Sequence, residues 1–127
     1  MINHPPHYKG DGVECIEVIK RYDLGFLLGN AAKYLIRAGR KDDERADRGK
    51  AVWYVRHWLE DPETHRPWSP CIDQWMSPDL IASAFGLTGA RRGLLVAILD
   101  VALSLQDQPA EDAVRAALAV FEMETAP

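Results

Sequence analysis

Apolar residues in this chain recur at intervals of three and four and nowhere alternate over any length, which confines it to packed α-helices. Asp11 followed by Glu14 has the spacing of a capping box, and Val13, Ile16 and Ile19 form a stripe behind it, so a first helix is expected from about Val13 to Tyr22. Gly25 breaks that helix. A second runs from about Phe26 to Ala38, with Gly39 as its C-terminal cap. Arg40 to Ala46 reads as a charged connector. A third helix is expected from about Asp47 to Leu59, with Val52, Val55 and Leu59 inward and Asp47, Lys50, Tyr54 and His57 on the opposite face. Residues 61–76, with Pro62, Pro67 and Pro70 beside Trp68, Cys71 and Trp75, read as an irregular link. Ser77-Pro78-Asp79 then supplies a cap, a first-turn proline and an acid near the helix dipole. Helices follow near 79–85, 90–105 and 110–123, the last with Ala113, Val114, Ala117, Leu118 and Phe121 on one side.

The expected fold is therefore all-α: a compact helical domain of three N-terminal helices plus about three C-terminal ones. Residues 1–60 would form the functional core, 61–76 a Pro/Trp-rich connector and 77–127 a C-terminal helical segment rich in Ala, Leu and Val, offered as an assembly surface. At 127 residues, 47% hydrophobic and 27% charged, the chain has the composition of a single globular domain. No run reaches the roughly 18 apolar residues of a membrane span. MINHPPHYKG lacks the apolar stretch of a secretory signal. Cys15 and Cys71 suit reduced thiols in a cytoplasmic protein.

The net charge of −4 is unevenly spread. Residues 1–60 carry 11 Lys/Arg against 9 Asp/Glu, and residues 61–127 carry 4 against 10. An acidic chain lacks the basic track that a nucleic-acid polymer requires. A small anion needs only a local pocket, and the cations sit in the first half. Asn30, Lys33, Tyr34 and Arg37 lie at helical spacings of three, four and seven, so an amide, an ammonium, a phenol and a guanidinium share one face. The third helix offers a matching face in Lys50 and Tyr54. The extended segment from His4 to Tyr8 adds two imidazoles and another ring. Lys33, Arg37 and Lys50 would contact phosphate, His7, Tyr8 and Tyr34 would stack or orient, and Asn30 would read a base or ribose edge.

The strings NHPPHYKG and GVECIEVI, then GNAAKYLIRAGRK, then DRGKAVWYV occur in that order within residues 3–59, the stretch that carries the likeness. This series resembles a small phage family of nucleotide-kinase-like proteins of unknown function. The resemblance implies a phage origin, a location in the cytoplasm of the infected host and a nucleotide ligand. Carried over by position, it marks His7, Tyr8, Glu14, Asn30, Lys33, Tyr34, Arg37, Asp47, Lys50 and Tyr54, with Glu14 and Asp47 as metal or polar support. Gly49 departs from the family pattern, which has a larger residue there.

The resemblance also implies an alternative, a nucleoside monophosphate kinase. The P-loop template is absent, because Glu44 stands where the first glycine belongs and Ala51 follows Lys50. Glu14, Glu17, Glu44 and Asp47 resemble the carboxylate pattern of all-α nucleotide pyrophosphohydrolases, which would bring in magnesium. Competing roles are at hand: Glu17 lies four residues before Arg21, and Asp47 suits a helix start. Ala82 to Leu87 resembles the turn of a helix-turn-helix, but Arg92 stands where an apolar residue belongs. His57 and His65 read as packing or surface residues, and Trp53, Trp58, Trp68 and Trp75 as core or interface anchors. The expected function is capture of a small host signalling nucleotide, a sponge in anti-defence, by a homo-oligomer with no cofactor, magnesium entering only if there is turnover. A cyclic or ADP-ribose-derived messenger would be the class of ligand.

Overall fold

A computed structural model describes residues 9–10, 13–39, 43–62, 75–104 and 108–125. Its described part is all-α, apart from one short antiparallel ladder in which β1 (Lys9–Gly10) pairs with β2 (Val13–Glu14). The helices are α1 (Cys15–Tyr22), α2 (Gly25–Arg37), α3 (Glu44–Glu60), α4 (Pro78–Ala84), α5 (Gly89–Ser104) and α6 (Gln108–Thr125). The expected helix spans hold, with the differences at their ends. His7, Tyr8, Asp11, His65, Trp68 and Cys71 lie outside the described residues.

The first helix ends at Tyr22 as expected and departs from expectation at its start. Glu14 is not the third residue of a capped turn: it closes the ladder and is itself the N-cap, without a side-chain cap bond. The break before α2 falls at Asp23, which takes the left-handed conformation (φ 52°) that aspartate tolerates. Its N–H donates to Lys20 O and that of Leu24 to Ile19 O, closing the last turn of α1. Gly25, at φ 74°, then opens α2. Gly29 allows α1 and α2 to approach closely, since a Cβ there would meet Ile19 Cγ2 at 3.1 Å.

The third helix begins earlier than expected. Asp43 is its cap, accepting from Ala46 N at 3.1 Å, so Glu44 to Ala46 are helical and not part of a connector. The buried stripe of α3 is Asp47, Ala51, Val55 and Trp58. Asp47 therefore faces inward, against the expectation that it shares an outer face with Lys50; three residues turn a helix by about 300°, so the two directions diverge by about 60°, enough to put one in the α2–α3 contact and leave the other at its rim. Val52 and Leu59 are only half-buried. At α4 the expected cap holds, with Ser77 Oγ accepting from Leu80 N at 3.3 Å and Pro78 in the first turn.

The helix α5 is the centre of the molecule. Leu94, Leu95, Ala97, Ile98, Leu99, Val101 and Ala102 are buried, and it packs on α6, α4, α2 and α1. One core cluster runs from Val13 through α2 and α3 to Phe121, so the N-terminal and C-terminal helices share it. The apolar residues that the sequence offers for assembly are thus largely consumed inside the chain. Arg92, the misfit in the helix-turn-helix-like turn, bonds Ser83 Oγ and Asp79 O and ties α4 to α5. No helix among the described residues is long and apolar enough to cross a membrane.

Burial raises two proton-releasing groups. The Cys15 thiol is pushed up to about 11 from 9.0 by burial, with the Lys33 charge drawing it back down. Burial, then the Asp100 carboxylate, pushes Tyr22 up to about 12 from 10.0, and its hydroxyl donates to Met76 O at 2.8 Å. Both folded values lie above the unfolded ones, so their stabilisation is complete below pH 9 and is lost as pH rises through 11 and 12. The urea midpoint should therefore fall from pH 9 upward in the native chain, and in Cys15→Ala only from pH 10, where Tyr22 begins to titrate. A midpoint that stays flat from pH 9 to 11 in the native chain would contradict this assignment.

Candidate cation and aromatic site on helices two and three

The expected cations converge. Lys33 Nζ lies 4.5 Å, the Arg37 guanidinium 4.9 Å and Lys50 Nζ 5.2 Å from the centroid of one ring, that of Tyr34. The ring's electron-rich face attracts each of them. The three charges therefore sit within about 10 Å of one another, where each pair repels by at least roughly 0.4 kcal/mol even in water-like dielectric. An anion between them would relieve that repulsion.

Their electrostatic standing differs. Arg37 makes a fork to Asp47, Nε to Oδ2 at 3.2 Å and Nη2 to Oδ1 at 2.9 Å. Asp47 is 5% exposed at its side chain and Arg37 15%, so this is a largely buried pair joining α2 to α3. Arg37, expected to contact phosphate, thus has its Nε and Nη2 engaged by Asp47 in this structure. Lys33 and Lys50 are different. Neither has a carboxylate at ion-pair distance among the described residues. Asn30 spends its amide nitrogen on its own helix, donating to Phe26 O at 2.7 Å, and keeps its oxygen as an acceptor.

An aromatic shelf adjoins the cations. Tyr34 and Tyr54 stack nearly parallel, with centroids 6.0 Å apart and 12° between planes. Trp53 meets Tyr54 edge-on at 4.9 Å and lies 3.8 Å from the His57 ring, while Phe26 meets Tyr54 at 5.9 Å. Phe26 is 74% exposed and Trp53 53%, which is unusual for rings of this size. Tyr34, Lys50, Trp53 and Tyr54 line an open cleft of about 280 Å³. Its size is near the lower limit of ligand pockets, about 300 Å³.

Trp53 and Phe26 are site residues that the sequence reading passed over. For Trp53 a signal existed, since Lys50, Trp53 and His57 recur at steps of three and four on one stripe. Phe26 reaches Tyr54 only through the α2–α3 packing and leaves no trace in sequence spacing. His57, read as a lone surface histidine, packs on Trp53 and faces Glu60 at 3.7 Å.

The four candidate carboxylates do not gather. Asp47 is held by Arg37, Glu44 lies 3.9 Å from Arg48, and Glu17 pairs with Arg21 at 3.4 Å, as its spacing predicts. Glu14 and Glu17 line a separate, larger groove of about 520 Å³ over α1 with Ile16, Lys20 and Arg21. Among the described residues its two acids and two bases balance and no ring lines it, so these residues suit a phosphorylated aromatic ligand less well despite its volume. Among the described residues no group of three or more His, Cys, Asp or Glu side chains could hold a metal ion.

No curated protein and no solved structure matches the chain. Residues 2–56, a stretch shorter than half the chain that contains Lys33, Tyr34, Arg37, Asp47, Lys50, Trp53 and Tyr54, match the model of a family described as a protein of unknown function (DUF3310).

Proposed function

We propose that this protein binds a nucleotide in the cleft between α2 and α3 and retains it unchanged. The observation that carries this reading is the pair Lys33 and Lys50, two ammoniums without carboxylate partners among the described residues, converging on Tyr34 beside an exposed indole. Ammoniums act as point charges towards phosphate, and a flat base stacks on Trp53 or Tyr54. Arg37, fixed by Asp47, adds positive field without supplying a fork. The placement of the carboxylates favours capture over turnover: phosphoryl transfer or hydrolysis needs metal-bridged phosphates or an activated water, and Asp47 is already bound to Arg37. The resemblance to the phage family extends the proposal to a host signalling nucleotide sequestered in the infected cell.

The purified chain is incubated with a mixture of mono-, di-, tri- and cyclic nucleotides with magnesium, the unbound fraction is set aside, the protein is denatured, and the species in both fractions are weighed by mass spectrometry. Recovery of an intact nucleotide in stoichiometric amount is the expected outcome. Lys33→Ala and Lys50→Ala should each weaken retention about 10-fold while leaving the helical circular dichroism unchanged, since each removes one charge-assisted contact. A new phosphorylated or hydrolysed product, or undiminished retention in both variants, would refute capture at this cleft.

A further inference from the structure

We infer that a second copy of this chain docks on the outer face of α3, the two helices running antiparallel about a two-fold axis at Trp53. Ala46, Gly49, Trp53, Arg56 and Glu60 are all exposed and succeed one another at alternating steps of three and four. That is the spacing of a seam between two helices. The flanks of α3 are already occupied, one by α2 and the other by α6, and this stripe is what they leave open.

Nothing among the described residues accounts for Gly49. It sits in an interior turn of α3 with ordinary helical backbone, and a Cβ there would meet nothing within 4 Å. Glycine in a helix is about 1 kcal/mol worse than alanine. The physical use of a missing side chain on an open helix face is close approach by another body. One turn further along stands Trp53, its indole in contact with the rings of both Tyr54 and His57. A large ring kept rigid and exposed loses little freedom on docking, which is the character of an interface anchor.

Charge selects the occupant. Antiparallel pairing about position 53 sets residue 60 of each copy against residues 45 and 46 of the other. Glu60 then meets Arg45 twice, once on each side of the axis, and Arg45 is exposed with no ion-pair partner among the described residues. Parallel pairing would instead set Glu60 against Glu60. The face is thus complementary to itself, as an isologous interface must be. In this arrangement the partner's Trp53 and the partner's His57 come over the small cleft lined by Tyr34, Lys50, Trp53 and Tyr54, and would supply its missing wall.

Sedimentation equilibrium on the full chain without nucleotide tests this independently of any ligand. A dimer is expected for the native protein. Trp53→Ala should weaken it at least about 30-fold, as loss of a central tryptophan anchor does. Glu60→Arg alone should also dissociate it, and adding Arg45→Glu to Glu60→Arg should restore the dimer, with helical circular dichroism retained throughout. A native monomer, a dimer indifferent to Trp53→Ala, or a charge-reversed double variant that stays monomeric would each overturn the proposal. Nucleotide retention by a native monomer would leave the binding site standing and remove only the dimer.

Discussion

Arg37→Ala should cost the folded state about 3 kcal/mol, a loss of stability far larger than the loss of one ligand contact. The reason is Asp47. Its carboxylate is 5% exposed and accepts both arms of the Arg37 fork, so truncating the arginine strands a charged group inside the α2–α3 contact. Urea unfolding followed by circular dichroism measures the effect directly. Lys33→Ala, which removes a cation without a carboxylate partner among the described residues, should leave the midpoint nearly unchanged and provides the contrast. Replacing both partners of the pair, Arg37→Met with Asp47→Leu, should recover most of the lost stability, because no charge is then left buried. If Arg37→Ala unfolds at the native midpoint, the pair is not the strut between these helices. The experiment also separates two roles that look identical in sequence. Arg37 and Lys33 lie on one helical face, but the first holds α3 in place and the second remains available to an anion.

Phe121→Ala should cost still more, about 3–5 kcal/mol, from the transfer of a fully buried ring and the cavity left behind. Phe121 is 0% exposed, and the Arg48 guanidinium lies 5.1 Å above its ring. Arg48 also pairs with Glu124 at 3.3 Å, and Arg56 bonds Glu122, so α6 is tied along the flank of α3. Because one core joins α2 and α3 to α5 and α6, the loss should be global. Amide hydrogen exchange in α2 should accelerate by the same free energy as exchange in α6. Protection of α2 that survives Phe121→Ala would show instead that the first sixty residues fold on their own.

The cleft and the core are therefore linked in their energetics. The face that gathers Lys33, Tyr34 and Lys50 exists because Ala31, Ala32, Leu35 and Ile36 of α2 are buried on the other side. Any substitution that loosens α5 or α6 should also disperse the cations, since α2 packs on α5 and α3 on α6 as well as on each other.

Local chemistry made much of this legible in the chain itself. The period of the apolar residues fixes the helices, Ser77 caps α4 because its hydroxyl reaches a backbone N–H three residues on, and Lys33, Tyr34 and Arg37 share a face because a helix repeats every 3.6 residues. These are properties of a few neighbouring residues and need no partner. Tertiary structure decided which way each face turns. Asp47 went inward because Arg37 of another helix was there to neutralise it, and Trp53 was left outside because Ala51, Val55 and Trp58 already filled the contact with the core. The close approach of α1 to α2 at Gly29, where a Cβ would meet Ile19, likewise comes only from the packing. A sequence states which residues travel together along a helix; burial, and with it the division between strut and binding group, depends on what the rest of the chain brings alongside.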